Sequence, residues 1–157
     1  MDRLKWRRLA GGVTMTLLLA GHAVHATPPA VSAAITARQA NYKEIGGDFK
    51  AITDELKSGS PDVATIRSSV QDLYSRASAQ LKYFVKGSGP ESGMKTRAKA
   101  AIWSDEATFT GLQTDMVAAA ESLRQLAANG DVAAITSART KLGAACKACH
   151  DKFREPE

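Results

Sequence analysis

Apolar residues recur along this chain at spacings of three and four, and they trace four stripes. The first runs through Ile35, Tyr42, Ile45, Phe49, Ile52 and Leu56, which is the period of a helix with one buried face. Gly59-Ser60-Pro61 ends it, and Ser60 reads as the N-cap of the next helix with Pro61 at its first position. That helix carries Val63, Ile66, Val70, Leu73, Ala77, Leu81 and Phe84. Between Lys86 and Trp103 the pattern fails, and Gly87, Gly89, Pro90 and Gly93 mark one long connection. Ser104 or Asp105 caps a third helix with Phe109, Leu112, Met116, Ala120, Leu123 and Ala127, which Asn129-Gly130 stops. Asp131 caps a fourth, whose stripe is Val132, Ile135, Leu142, Cys146, Cys149 and Phe153. No stretch alternates with a period of two, and no internal repeat is evident. The pattern predicts an all-α fold, an antiparallel up-down four-helix bundle.

The N-terminus changes the length over which that fold is expected. A basic start (Arg3, Lys5, Arg7, Arg8), an apolar run from Leu9 to Gly21 and the small-residue sequence Val24-His25-Ala26 read as an export signal cut after Ala26. The run is too short to span a bilayer. The Arg7-Arg8 pair resembles a twin-arginine signal, but its surroundings fit the general secretory route better. Residues 27–157 then form a single domain, without a membrane span, in the periplasm of a Gram-negative bacterium. Charge follows: the chain has 21 basic and 16 acidic residues, and removing the four basic residues and the one acid of the signal leaves a net charge of +2. A nearly neutral domain with both signs interspersed gives no reason to expect nucleic acid as a partner.

Candidate chemistry is concentrated in GAACKACHDKFRE, residues 143–155. The chain has two cysteines, and Cys146, Cys149 and His150 form C-x-x-C-H, the signature of covalent haem c attachment. On a helix, positions three and four apart share a face. Two thiols can therefore meet the two vinyl groups of one porphyrin while the adjacent imidazole reaches the iron. A zinc site would need a fourth ligand, and His22 and His25 leave with the signal. A thioredoxin-type pair expects a strand-to-helix context, and a disulfide within one helical turn is strained. Haem c, one per chain on Cys146 and Cys149, is the reading that uses all three residues. Gly143, Ala144, Ala145 and Ala148 around the motif leave room for a porphyrin, or for close helix packing.

With ARQANY in the first helix, KTRAKAAIWSDEATF before the third and CKACHDKFR at the end, residues 31–154 resemble the cytochromes c prime. These are exported four-helix-bundle proteins with haem c on the last helix. The resemblance implies that Arg38 and Gln39 approach the haem propionates, although without it a solvated helix face would be the plainer reading. It implies that Thr96 lies near the haem edge, that Tyr42 occupies the distal position, and that Arg154 lies on the proximal side, where it also suits a helix C-terminus as a cation. The sequence departs from the family at Ala100-Ala101, where a proline commonly precedes Ile-Trp, and at Phe153, where tyrosine is frequent.

An iron with two strong axial ligands carries electrons, and one with a vacant position binds gases. His150 supplies one ligand, and no other histidine lies beyond residue 26. A neutral phenol such as Tyr42 is a poor ligand. The expected iron is five-coordinate and high-spin. The resemblance then implies binding of nitric oxide and carbon monoxide, protection against nitrosative stress or electron transfer with a periplasmic redox partner, and a homodimer through the first two helices. The alternative is a low-spin electron carrier with Met116 or Met94 as sixth ligand. An enzyme is not expected, because a peroxidase needs a distal acid-base histidine.

Overall fold

The computed structural model describes residues 27–156, so the export signal assigned to residues 1–26 lies outside the described residues. Four long helices build the molecule: α1 (Pro29–Lys57), α2 (Val63–Ala79), α4 (Glu106–Asn129) and α5 (Val132–Phe153). A single turn, α3 (Ala101–Ser104), precedes α4. Neighbours in sequence pack together closely: α1 on α2, α2 on α4 and α4 on α5, while α1 and α5 meet over far less of their length. The result is a four-helix bundle with a gap between its first and last helices. Among the described residues the only β pairing is an isolated bridge between Ala98 and Arg154.

The stripes become the core largely as their spacing requires. Ile45, Ile52, Ile66, Val70, Leu73, Met116, Leu123, Ile135 and Leu142 form one buried cluster. A second, smaller cluster joins Ile102, Phe109, Cys149 and Phe153, with Phe84 and Trp103 packed on it. Asp131 caps α5 as expected, its carboxylate accepting from the backbone N–H groups of Ala133 and Ala134. Gly130 closes α4 at φ 78°, in the left-handed region.

Some expectations are corrected. Asp62, not Ser60, caps α2, because its carboxylate reaches both the Ala64 N–H and the Thr65 hydroxyl. Asp105 precedes α4, whereas Ser104 belongs to α3. At the end of α2 the backbone tightens into a 3₁₀ turn, Gln80–Tyr83, which rotates the stripe. Leu81 is thereby 43% exposed, and Gln80 is buried in its place. Ala144 and Ala148 lie on the exposed face of α5, and Ala145 packs on the main core, so of the four small residues around the cysteine motif only Gly143 borders the gap.

The long connection is pinned where it passes the gap. Trp103 Nε1 donates to the Val85 carbonyl at 3.2 Å. A Cβ on Gly89 would come within 2.6 Å of the Trp103 ring, so that close approach requires glycine. Downstream, Lys99 N–H donates to the Phe153 carbonyl (3.0 Å) and Glu155 N–H to the Arg97 carbonyl (2.8 Å), tying the end of α5 to the connection.

Candidate haem site

The gap between α1 and α5 is a cavity of about 960 Å³, bordered by both core clusters. It lies at the upper end of the volumes typical of small-ligand and cofactor sites. From α5, Cys146, Cys149 and His150 all border it, as positions three and four apart on one helix face must. From α1 come Arg38, Gln39, Tyr42 and Gly46, from the connection Thr96, and from α4 Phe109, Gln113 and Met116. Gly46 stands in the interior of α1, where glycine costs about 1 kcal/mol relative to alanine. A Cβ there would meet nothing within 4 Å, so the residue leaves the wall open rather than relieving a clash.

The electrostatics favour neutral forms. Burial pushes both thiols above their ordinary pKa, Cys149 to about 11, with Cys146 adding to the effect. A redox pair kept as thiolate is thus disfavoured here. Burial lowers the pKa of His150, and the Arg154 and Arg97 cations lower it further. Neutral imidazole is the form that coordinates a metal. The Tyr42 phenol is raised well above its usual range, chiefly by burial, which keeps it protonated. His150 also borders a second recess of about 430 Å³, lined in part by Arg97, Asp151 and Arg154. Arg154 Nη1 lies 3.5 Å from His150 Nδ1.

Arg38 is not on a solvated helix face. It is 3% exposed, and its guanidinium donates to the Tyr83 carbonyl, to the Ser88 hydroxyl and carbonyl, and to Thr96 Oγ1. Phe84 lies under it, 4.8 Å from ring centroid to Cζ. Gln39 is exposed and donates from Nε2 to the Lys95 carbonyl at 2.8 Å. Arg38, Gln39 and Thr96, far apart in sequence, therefore form one rim of the cavity, and Arg38 also locks the connection onto α1. Replacing Arg38 with lysine keeps the charge but not the fork of donors. The expected cost is about 2 kcal/mol, read as a lower midpoint of thermal unfolding; an unchanged midpoint would show that the fork contributes nothing.

The buried amides of Gln113 and Gln80 escaped the sequence reading. Gln113 Nε2 donates to Tyr42 Oη at 3.2 Å and lies 3.4 Å from Cys149 Sγ, and Gln80 Nε2 donates to Gln113 Oε1. The available signal was a glutamine interrupting an apolar stripe: Phe109, Gln113, Met116 on α4 and Leu73, Ala77, Gln80 running from α2 into the turn that follows it. Of the two candidate methionines, Met94 does not border the cavity. Met116 does, with its sulfur 3.9 Å from Gln80 Nε2.

The family model described as Cytochrome C' matches residues 33–154. The chain belongs to the cytochrome c′ family. A cytochrome c′ of Rubrivivax gelatinosus is 34% identical over 122 residues, 78% of this chain and 94% of that protein. A solved cytochrome c′ with an unusual ligand-controlled dimer dissociation superposes with a TM-score of 0.75 at 26% identity, covering 80% of this chain and 97% of that one. A variant cytochrome c′ of Alcaligenes xylosoxidans in complex with nitric oxide gives 0.73 at 28% identity, covering 81% and 97%. Another from the same organism, with carbon monoxide bound, gives 0.73 at 28%, covering 80% and 97%.

The cofactor of a cytochrome c′ is haem c, and the residues bordering this cavity suit it. Two thiols and an imidazole at C-x-x-C-H spacing face one mostly apolar space, and a glycine opens the opposite helix. Among the described residues no helix is long and apolar enough to cross a membrane.

Proposed function

We propose that this chain is an exported periplasmic protein, cut after Ala26, that binds nitric oxide and carbon monoxide at its haem c. Cys146 and Cys149 hold the group by thioether bonds, and His150 is the one axial ligand from the protein. When bound, the haem supplies an iron whose vacant axial position accepts a diatomic gas. Tyr42 covers that position without ligating it, Arg38, Gln39 and Thr96 form the rim that meets the propionates, and Arg154 flanks His150. The observation that carries this reading is Tyr42: it shares the cavity with His150, and burial keeps its phenol protonated and so a poor ligand. The nitric oxide and carbon monoxide complexes of relatives support it.

Electron exchange with a periplasmic redox partner is compatible with such a site, and the protein is read as a binder rather than an enzyme. The low-spin alternative rests on Met116 alone, because Met94 does not reach the cavity wall. Visible spectra of the ferrous protein with and without carbon monoxide discriminate the two. A large change on adding the gas supports an open position, and an unchanged spectrum supports a methionine ligand.

A homodimer through α1 and α2 belongs to the same proposal. Ala34 and Ala51 are small and half-buried on α1, and the two exposed large hydrophobic residues among the described residues, Leu81 and Val85, follow α2 directly. Sedimentation at micromolar concentration is expected to show a dimer; a monomer throughout would contradict it.

A further inference from the structure

Tyr42 belongs to α1, yet the group that holds its hydroxyl comes from α4. Gln113 is 2% exposed, and its Nε2 donates to Tyr42 Oη at 3.2 Å. Behind it, Gln80 is 1% exposed and donates from Nε2 to Gln113 Oε1. A primary amide has one accepting and one donating end. Once Gln80 occupies the oxygen of Gln113, the nitrogen of Gln113 is turned toward Tyr42 and Cys149. Two buried amides in positions of apolar stripes are costly unless bonded. Leucine at both would fit the helical pattern, and Gln80 Oε1 even lacks a hydrogen-bond partner among the described residues. The pair is therefore poorly explained by core stability.

We propose that Gln113, oriented by Gln80, is a positioning residue that latches Tyr42 over the gas-binding side of the cavity and so sets the rate at which gas is admitted. This rests on the gas-binding reading above. Tyr42 is otherwise held at that point by an edge-on contact with Phe84, at 6.3 Å between centroids, which does not fix the rotation of the hydroxyl. For the phenol to move aside, the bond to Gln113 must break first. Because Gln113 Nε2 also faces Cys149 Sγ at 3.4 Å, the latch is anchored next to the attachment helix, α5.

The test is carbon monoxide association, followed by flash photolysis, in the haem-loaded wild type, Gln113→Leu, Gln113→Glu, Tyr42→Phe and the Tyr42→Phe/Gln113→Leu double variant. Gln113→Leu and Tyr42→Phe are each expected to raise the association rate about two- to tenfold, the change that corresponds to one hydrogen bond of ordinary net strength. The double variant should be no faster than either single one, since both remove the same bond. Gln113→Glu keeps a bond to the phenol, now with the carboxyl accepting from the Tyr42 hydroxyl, and should keep the association rate near that of the wild type. Tyrosine bands in ultraviolet resonance Raman of the gas-free protein, taken as a difference from Tyr42→Phe, should shift in Gln113→Leu, where the phenol oxygen loses its donor, and again in Gln113→Glu, where the phenol turns from acceptor to donor, which a packing role alone would not produce. A wild type that fails to bind carbon monoxide overturns the gas-binding reading itself. A wild type that binds it, with unchanged or additive single variants, overturns the latch alone. Should Gln113→Leu not fold, Tyr42→Phe, which removes one oxygen, decides the matter: an unchanged association rate sinks the latch.

Discussion

Exchanging both Cys146 and Cys149 for serine is expected to leave a protein from which acid-acetone extraction removes all haem, whereas the unaltered protein retains one haem per chain by mass spectrometry. A hydroxyl cannot form the thioether, and His150 alone gives a reversible contact. The effect should extend to the fold, because the cavity of about 960 Å³ is lined by residues of both core clusters. Unfilled, its walls lose contacts on one side. Burial raises the pKa of both thiols, that of Cys149 to about 11. Haem retained through extraction by the double variant would contradict the assignment of both cysteines.

Truncating Tyr42 to alanine is expected to raise carbon monoxide affinity about 30- to 100-fold, equivalent to about 2–3 kcal/mol. The side chain has to leave its place for the gas, and three contributions oppose that. The hydrogen bond from Gln113 contributes about 1 kcal/mol and the edge-on contact with Phe84 about 0.5–1.5 kcal/mol. The remainder is the apolar surface of the ring that movement exposes. Alanine removes all three at once. Tyr42→Met makes the opposite kind of change: a thioether at the same point is a donor for iron, and part or all of the protein should become low-spin. Equilibrium titration with carbon monoxide checks the first variant, and affinity equal to that of the wild type would mean that Tyr42 is an ordinary core residue.

What was legible in the sequence followed from periodicity and from local chemistry. Ile35, Ile45 and Ile52 on α1 and Ile135 and Leu142 on α5 are buried because an apolar stripe has one stable place to go. Asp131 and Gly130 mark helix ends through bonds made within a few residues. Cys146, Cys149 and His150 share a face for the same local reason. The features that could not be read are those in which tertiary contacts override the local pattern. The 3₁₀ turn at Gln80–Tyr83 turns Leu81 outward and Gln80 inward, against a stripe that periodicity would have continued. Arg38 is buried because the connection folds over it and supplies Tyr83, Ser88 and Thr96 as acceptors, all more than forty positions away. Gln113 looks like a flaw in the α4 stripe until Tyr42 and Gln80 are seen to enclose it. A buried glutamine in an apolar stripe carries no sequence signal of what it is bonded to.

In the function proposed here His150 is the one axial ligand from the protein and Tyr42 covers an open position. Electron paramagnetic resonance of the ferric, haem-loaded wild type at neutral pH tests it most directly. A high-spin signal is expected, as an iron with a single protein nitrogen and no second strong ligand requires. A low-spin signal from the unmodified protein would contradict it and would point to Met116, the methionine that borders the cavity, as the sixth ligand.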